Sequence, residues 1–199
     1  MNAQATAVIL IGLQNDYFSD DGSLVGVLED RSWREKVLEN IVGMVKDLAH
    51  TPALIVSTPI QFTENYEELS EPVGILQAII DNGAFRRGTK GAETIPEIRE
   101  FGQRIVEVQG KRGLNAFSNT ELHSLFETRG ITDVVLAGVV TSICIDSTGR
   151  HAFESGYRVS ILADGTAGRT SFEQTFYCEN VFPLYSQVMM TQDFVDLLR

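Results

Sequence analysis

Short apolar runs alternate with amphipathic stretches along the chain. Ala7 to Ile11 is continuously apolar, the pattern of a strand buried on both faces of a sheet. From Trp33 to Leu48, the residues Val37, Ile41, Met44, Val45 and Leu48 recur at helical spacing and predict one amphipathic helix. Ala53 to Val56 predicts a second strand and Val73 to Ile80 a helix, before the glycine-rich loop "GAFRRGTKGAE" that starts at Gly83. Arg104 to Val108 alternates like a strand, and Asn119 opens a helix that turns Leu122, Leu125 and Phe126 inward. "ITDVVLAGVV", ending at Val140, is the strongest strand pattern, and it leads through Thr141 into a helix over Ser142 to Glu154, stopped by Gly156. A strand over Val159 to Leu162, a helix over Ser171 to Val181, a strand over Tyr185 to Met190 and a helix closing near Leu198 complete the pattern.

Alternating strands and helices argue for an α/β fold with a parallel sheet covered by helices on both faces. No repeat or linker divides the 199 residues, so one domain over residues 1–199 is expected. Ligands of such sheets bind outside the carboxyl ends of the strands, where the strand order reverses. That rule selects three segments: Gly12 to Phe18, Lys111 to Phe117, and Val139 to Cys144.

Candidate chemistry follows from what stands there. Cys144 falls in the first turn of a predicted helix, where the helix dipole and free backbone N–H groups favour a thiolate; a buried, inert cysteine fits the same position. Lys111 ends a strand and could pair with that thiolate, or be a solvated surface lysine. Asp16 and Asp164 also lie near strand ends, where the first can hold a loop through backbone hydrogen bonds and the second, before Gly165, can form a turn. The histidines His50, His123 and His151 have no metal-ligand spacing, and P-loop, G-x-G-x-x-G and G-x-S-x-G motifs are missing. Metal, nucleotide and serine-nucleophile chemistries lose weight, and no cofactor is expected.

Composition narrows the setting. Hydrophobic residues make up 43% and charged ones 22%, with no apolar run near the ~20 residues of a membrane span. No leader-like segment opens the chain, so a cytosolic protein is expected, in which Cys144 and Cys178 form no disulfide framework. Cys178 reads as packing or interface. A net charge of -11 repels nucleic acid.

Taken together, "ILIGLQNDYF", "GKRGLNAFSNTEL" and "VVLAGVVTSICIDSTGRHAFESGYRVSILAD" resemble the isochorismatase-like cysteine hydrolases, the superfamily that includes nicotinamidases and N-carbamoyl amide hydrolases. The resemblance covers essentially the whole domain. It implies a three-layer α/β/α, Rossmann-like fold with a six-stranded, mainly parallel sheet, and assembly as a homodimer or homotetramer. It carries a catalytic lysine over to Lys111 and a cysteine nucleophile to Cys144 in "TSIC". It also maps a cis peptide to Val139-Val140, oxyanion donors to the backbone of Val140 and Cys144, and a substrate pocket to Gly12, Tyr17, Gln61 and Phe117. The loop holding Arg86, Arg87 and Lys90 falls where the family varies its specificity; these cations could meet an acidic group, though a surface charge is the favoured reading of each.

Two departures matter. The family's acid–base aspartate should stand two residues before Gln14, where this chain has Gly12, and the metal-binding Asp and His of nicotinamidases are replaced by "STPIQFTENY". No metal is therefore expected. Without the aspartate, attack by a thiolate could survive, while protonation of the leaving group is the weaker step. The expectation is a hydrolase of a small amide or related C–N/acyl substrate, acting through a Cys144 thiolate supported by Lys111. The alternative is an impaired member that binds a small molecule or partner without turnover, with Gly12 serving close backbone approach.

Overall fold

The computed structural model describes residues 1–199. Its sheet is built from β1 (Thr6–Ile11), β2 (Leu54–Thr58), β3 (Val106–Glu107), β4 (Asp133–Val139), β5 (Arg158–Ala167) and β6 (Gln187–Met189). They lie in the order β3-β2-β1-β4-β5-β6, with every neighbouring pair parallel. The helices are α1 (Asn15–Phe18), α2 (Arg31–Asp47), α3 (Ile75–Asp81), α4 (Pro96–Arg99), α5 (Leu122–Arg129), α6 (Asp146–Glu154), α7 (Ser171–Phe176) and α8 (Thr191–Leu198).

Every residue of β1 and β4 is buried, because successive side chains serve two different cores. Val8 and Leu10 pack into a layer with Ile41 of α2 and Phe194 of α8. Ala7, Ile9 and Ile11 face the opposite layer, with Phe126 of α5, Ala152 of α6 and Phe182. The uninterrupted apolar run of β1 is the sequence trace of this double burial. Moving outward from β1, the sheet runs through β2 to β3 on one side and through β4 to β6 on the other. The strand order therefore reverses between β1 and β4, and the ends of these two strands form the crevice where ligands are expected.

Several boundaries differ from expectation for local reasons. Helix α2 starts two residues early, because Asp30 Oδ1 accepts the N–H groups of Ser32 and Trp33 as an N-cap. The strand expected over Arg104 to Val108 shrinks to the exposed edge pair Val106–Glu107, since Gly102–Arg104 forms a 3-10 turn. Asn119 has φ +62 and opens no helix; α5 begins at Leu122. The last strand keeps only Gln187–Met189 of the expected span. Asp164 forms no strand-ending turn. It lies within β5, which carries an irregularity in its pairing with β4, and its Oδ1 accepts both the N–H and the hydroxyl of Thr191 at 2.7 Å, fastening the start of α8. No helix is long and apolar enough to cross a membrane.

Candidate active site

The ends of β1 and β4 approach more closely than side chains allow. A Cβ on Gly138 would lie 1.9 Å from the carbonyl oxygen of Ile11, and one on Gly12 would lie 2.6 Å from that of Val139. Both glycines also have positive φ, +119 and +69. Gly12 is thus fixed by backbone contact with β4, and its position leaves no room for a carboxylate on this backbone. The Val139-Val140 peptide bond, directly beside it, is cis.

Beyond that bond the chain enters a widened π turn, Thr141–Ile145, before α6 begins. The N–H groups of Ile143 and Ile145 both donate to Val140 O, at 3.0 and 3.2 Å. Turns of this kind often occur at functional sites, and here the turn carries Cys144. Side chains of α7 hold it in place. Ser142 Oγ donates to Glu173 Oε1 at 2.6 Å, and Thr141 Oγ1 donates to Gln174 Oε1. Glu173 also accepts from the N–H and guanidinium of Arg169. Burial works against the Glu173 carboxylate, yet these hydrogen bonds outweigh it and hold the group below the ordinary glutamate range. Nothing in the sequence pattern of Ser171 to Val181 distinguished these two residues from ordinary helix polar positions.

Lys111 is no surface lysine. It is only 2% exposed, and its Nζ donates to Gly113 O while standing 3.5 Å from Cys144 Sγ. A buried ammonium needs such partners, because desolvation of an unpaired charge is costly. Cys144 itself is 8% exposed. The two residues face a small cavity that also includes Gly12, Tyr17 and Thr58 in its lining. Its remaining walls are Ile60, Ile75, Leu76, Ile79, Leu114 and Ile143, with Gly113. Burial first, then the charges of Cys144 and Asp16, push the Tyr17 phenol well above its ordinary range, so it stays a neutral hydroxyl.

Two expected pocket residues lie elsewhere. Phe117 packs in the core against the rings of His123, Phe126, His151 and Tyr157 and is not among the residues lining the cavity. Gln61 is not in the cavity lining; its backbone N–H donates to Lys111 O, so it supports the lysine segment rather than the pocket. Val139 packs against Gly12 through its carbonyl oxygen, and its peptide bond to Val140 is the cis one. Cys178, in the π turn Tyr177–Val181, accepts from Gln174 Nε2, and burial pushes its thiol up to about 11. Arg86 opens onto a separate cleft, and Lys90 pairs with Asp21 at the surface.

The "QND" triplet acts as a clasp. Gln14 is buried; its amide nitrogen donates to Ile60 O and Ala92 O, and its oxygen accepts from Ile60 N–H. Asn15 donates to Lys90 O. Asp16 accepts from the N–H groups of Ser23 and Phe85, at 3.1 and 2.7 Å, which is the loop-holding role its position allowed. Together they bind the glycine-rich loop and the segment after β2 to the mouth of β1. No group of three or more His, Cys, Asp or Glu side chains is placed to hold a metal ion.

Fold and site define a parallel α/β domain with a buried thiol–ammonium pair at its topological switch point. The chain belongs to the isochorismatase domain family, whose model matches residues 6–193. It is 28% identical over 166 residues to Nicotinamidase 3 of Arabidopsis thaliana, covering 83% of this chain and 75% of that one. To ureidoacrylate amidohydrolase RutB of Caulobacter segnis it is 26% identical over 209 residues, covering 98% of this chain and 86% of that one. In structure it is similar to a cysteine hydrolase from Pseudomonas syringae pv. phaseolicola, with a TM-score of 0.85 at 17% identity, covering 98% of this chain and 93% of the other. At that identity the likeness shows the fold alone.

Proposed function

We propose that the protein is a hydrolase of small amides or related C–N/acyl compounds, with Cys144 as nucleophile and Lys111 as its cationic partner. The observation that carries this reading is the 3.5 Å separation of Lys111 Nζ and Cys144 Sγ, both buried, at the mouth formed by β1 and β4. The amide-hydrolysing activities in the names of the two curated relatives support it. In this reading the Cys144 thiolate attacks the substrate carbonyl carbon, forming an S–C bond and an oxyanion. Backbone N–H groups of Val140 and Cys144 are the proposed donors to that oxygen. Collapse of the oxyanion breaks the bond to the leaving group, which takes the electron pair and draws its proton from water, and leaves a thioester. Water then attacks the thioester, releasing a carboxylic acid and restoring the thiol.

Lys111 pairs the thiolate before attack and again when the thioester is cleaved, and Tyr17 offers a neutral hydroxyl to the bound substrate. Gly12 contributes no proton. The test is a panel of small amides and carbamoyl compounds, with intact-mass measurement of any acyl adduct. The expected result is an adduct on Cys144 and turnover that Cys144→Ala abolishes. Undiminished turnover in Cys144→Ala would refute the thiol mechanism, and binding with neither adduct nor turnover would leave a binding protein instead. We also propose that the protein assembles as a homodimer or homotetramer, supported by the exposed apolar side chains Phe172, Phe176 and Leu184.

A further inference from the structure

The cavity is well supplied with a nucleophile and poorly supplied with a proton donor. No Asp, Glu or His lines it, and the Tyr17 hydroxyl, which burial makes a weaker acid than an ordinary phenol, can donate a hydrogen bond but gives up its proton poorly. The nearest carboxylate along the chain, Asp16, is occupied by two backbone N–H groups and opens onto a different cleft. Position 12 itself has no space for a side chain, since a Cβ there would stand 2.6 and 2.9 Å from Val139 O and Val139 Cγ2. The Lys111 ammonium already donates to Gly113 O and faces the sulfur, so surrendering its proton would remove the charge that pairs with the thiolate.

The walls add a second constraint. Six of the lining residues, Ile60, Ile75, Leu76, Ile79, Leu114 and Ile143, are aliphatic, and no arginine is among them. The single cation present is engaged with Cys144, while Lys90 and Arg86 lie outside the cavity. A substrate carboxylate would therefore be buried without a free partner. Thr58 offers a neutral contact: the residue is 1% exposed, lines the cavity, and its Oγ1 has no hydrogen-bond partner.

We propose that the preferred substrates are uncharged acyl compounds with a small aliphatic acyl group and a leaving group that departs without prior protonation, so that an ester or thioester is turned over ahead of an amide. The proposal rests on Cys144 being the nucleophile and refines what it attacks. The Cys144 S–C bond forms as the C–O or C–S bond to the leaving group breaks. The leaving atom takes the electron pair and draws its proton from water. Hydrolysis of the acyl-enzyme then returns the carboxylic acid and the thiol. An amide nitrogen leaves far more slowly in this way, because it is a poor anion and must draw its proton from water without a positioned acid. The Thr58 hydroxyl meets the polar end of the bound acyl compound, and the aliphatic wall meets its chain.

The experiment measures kcat/KM for 4-nitrophenyl, phenyl and ethyl isobutyrate, isobutyramide, and mono-4-nitrophenyl succinate, with Cys144→Ala supplying the background. Acid assistance is worth about 10²–10⁴-fold, so the rate should fall steeply along the leaving-group series, at least about tenfold from 4-nitrophenyl to phenyl. The amide should lie about 10²-fold or more below the phenyl ester. The succinate ester should be at least about tenfold slower than its isobutyrate counterpart, the loss of a buried charge's partner. A flat leaving-group series, an amide within tenfold of the phenyl ester, or a preference for the succinate would overturn the proposal while leaving Cys144 as nucleophile. Loss of all difference from Cys144→Ala would instead overturn the underlying reading. In Thr58→Val, which keeps shape but not the hydroxyl, KM for the isobutyrate esters should rise while the steepness of the leaving-group series is unchanged; an unaltered KM would remove Thr58 from the proposal.

Discussion

At the scale of single residues, the site is defined by what is missing at position 12 and what is present at position 111. Gly12 meets β4 too closely for any side chain, and its φ of +69 is unfavourable for one. Gly12→Ala should cost about 1–3 kcal/mol of stability, the usual range for overpacking, read as a shifted midpoint in urea unfolding. Gly12→Asp should be destabilised in the same way and should fail to gain amidase activity. A stable Gly12→Asp enzyme with amidase activity raised above that of the unaltered protein would mean that the β1–β4 junction relaxes to accept a carboxylate. Lys111 yields the complementary test. Lys111→Met keeps length and buried volume but removes the charge beside Cys144 Sγ. Alkylation of Cys144 by iodoacetamide near neutral pH should slow by about tenfold or more, while Cys178 reacts as before. Equal rates at Cys144 in the two proteins would dissociate the lysine from thiol activation.

At the scale of elements, the turn bearing the nucleophile is braced by its neighbour helix rather than by its own sequence. Removing the Glu173 carboxylate in Glu173→Ala strands the Ser142 hydroxyl and the Arg169 contacts, which should cost about 1–3 kcal/mol. A positioning role predicts a drop in kcat with little change in KM, whereas a purely structural one would alter stability alone. The α5–α6 junction supplies a pH test. The Nε2 atoms of His123 and His151 are 2.9 Å apart, and burial, followed by the neighbouring His123, holds His151 below the ordinary histidine range, with Glu154 opposing. The unfolded chain then binds the proton more readily than the native one, so the stabilising contribution is complete above the ordinary histidine value of about 6.5 and declines as pH falls below it. Thermal midpoints should drop between about pH 7.5 and pH 5.5, and His151→Gln should flatten that drop.

The same scale shows what the sequence made legible. Strands buried on two faces, such as β1 and β4, have an unmistakable apolar run, and the β4-to-helix junction marked Cys144. The two-residue edge strand β3 leaves almost no pattern, and a π turn cannot be told from helix by spacing that differs so little. Lys111 was legible as a strand-end cation, but its burial was not, because that depends on Gly113 and Cys144 folding over it. The direction of Phe117 is not legible locally, since its ring packs on those of His123 and His151, which lie apart from it along the chain. The clasp made by Gln14 was invisible for a similar reason: its partners Ile60 and Ala92 lie far along the chain and offer backbone atoms.

At the scale of the whole molecule, association must overcome a net charge of -11 per chain, which repels a second copy at a distance. Contact between copies therefore needs an apolar face with little charge of its own. Phe172 and Leu184 are 76% and 77% exposed, and the ring of Phe172 stacks on Phe176, with 5.9 Å between centroids. Phe172 belongs to α7, the helix whose Glu173 and Gln174 hold the turn carrying Cys144. An interface on this face would thus steady the nucleophile through α7. Light scattering of the purified protein should give a dimer or tetramer whose association strengthens with salt, as screening weakens the repulsion. The paired substitution Phe172→Asp and Leu184→Asp should yield a folded monomer with reduced kcat. A wild-type monomer at all salt concentrations would remove the interface, and a monomeric variant of full activity would show that α7 braces the site without help from a second copy.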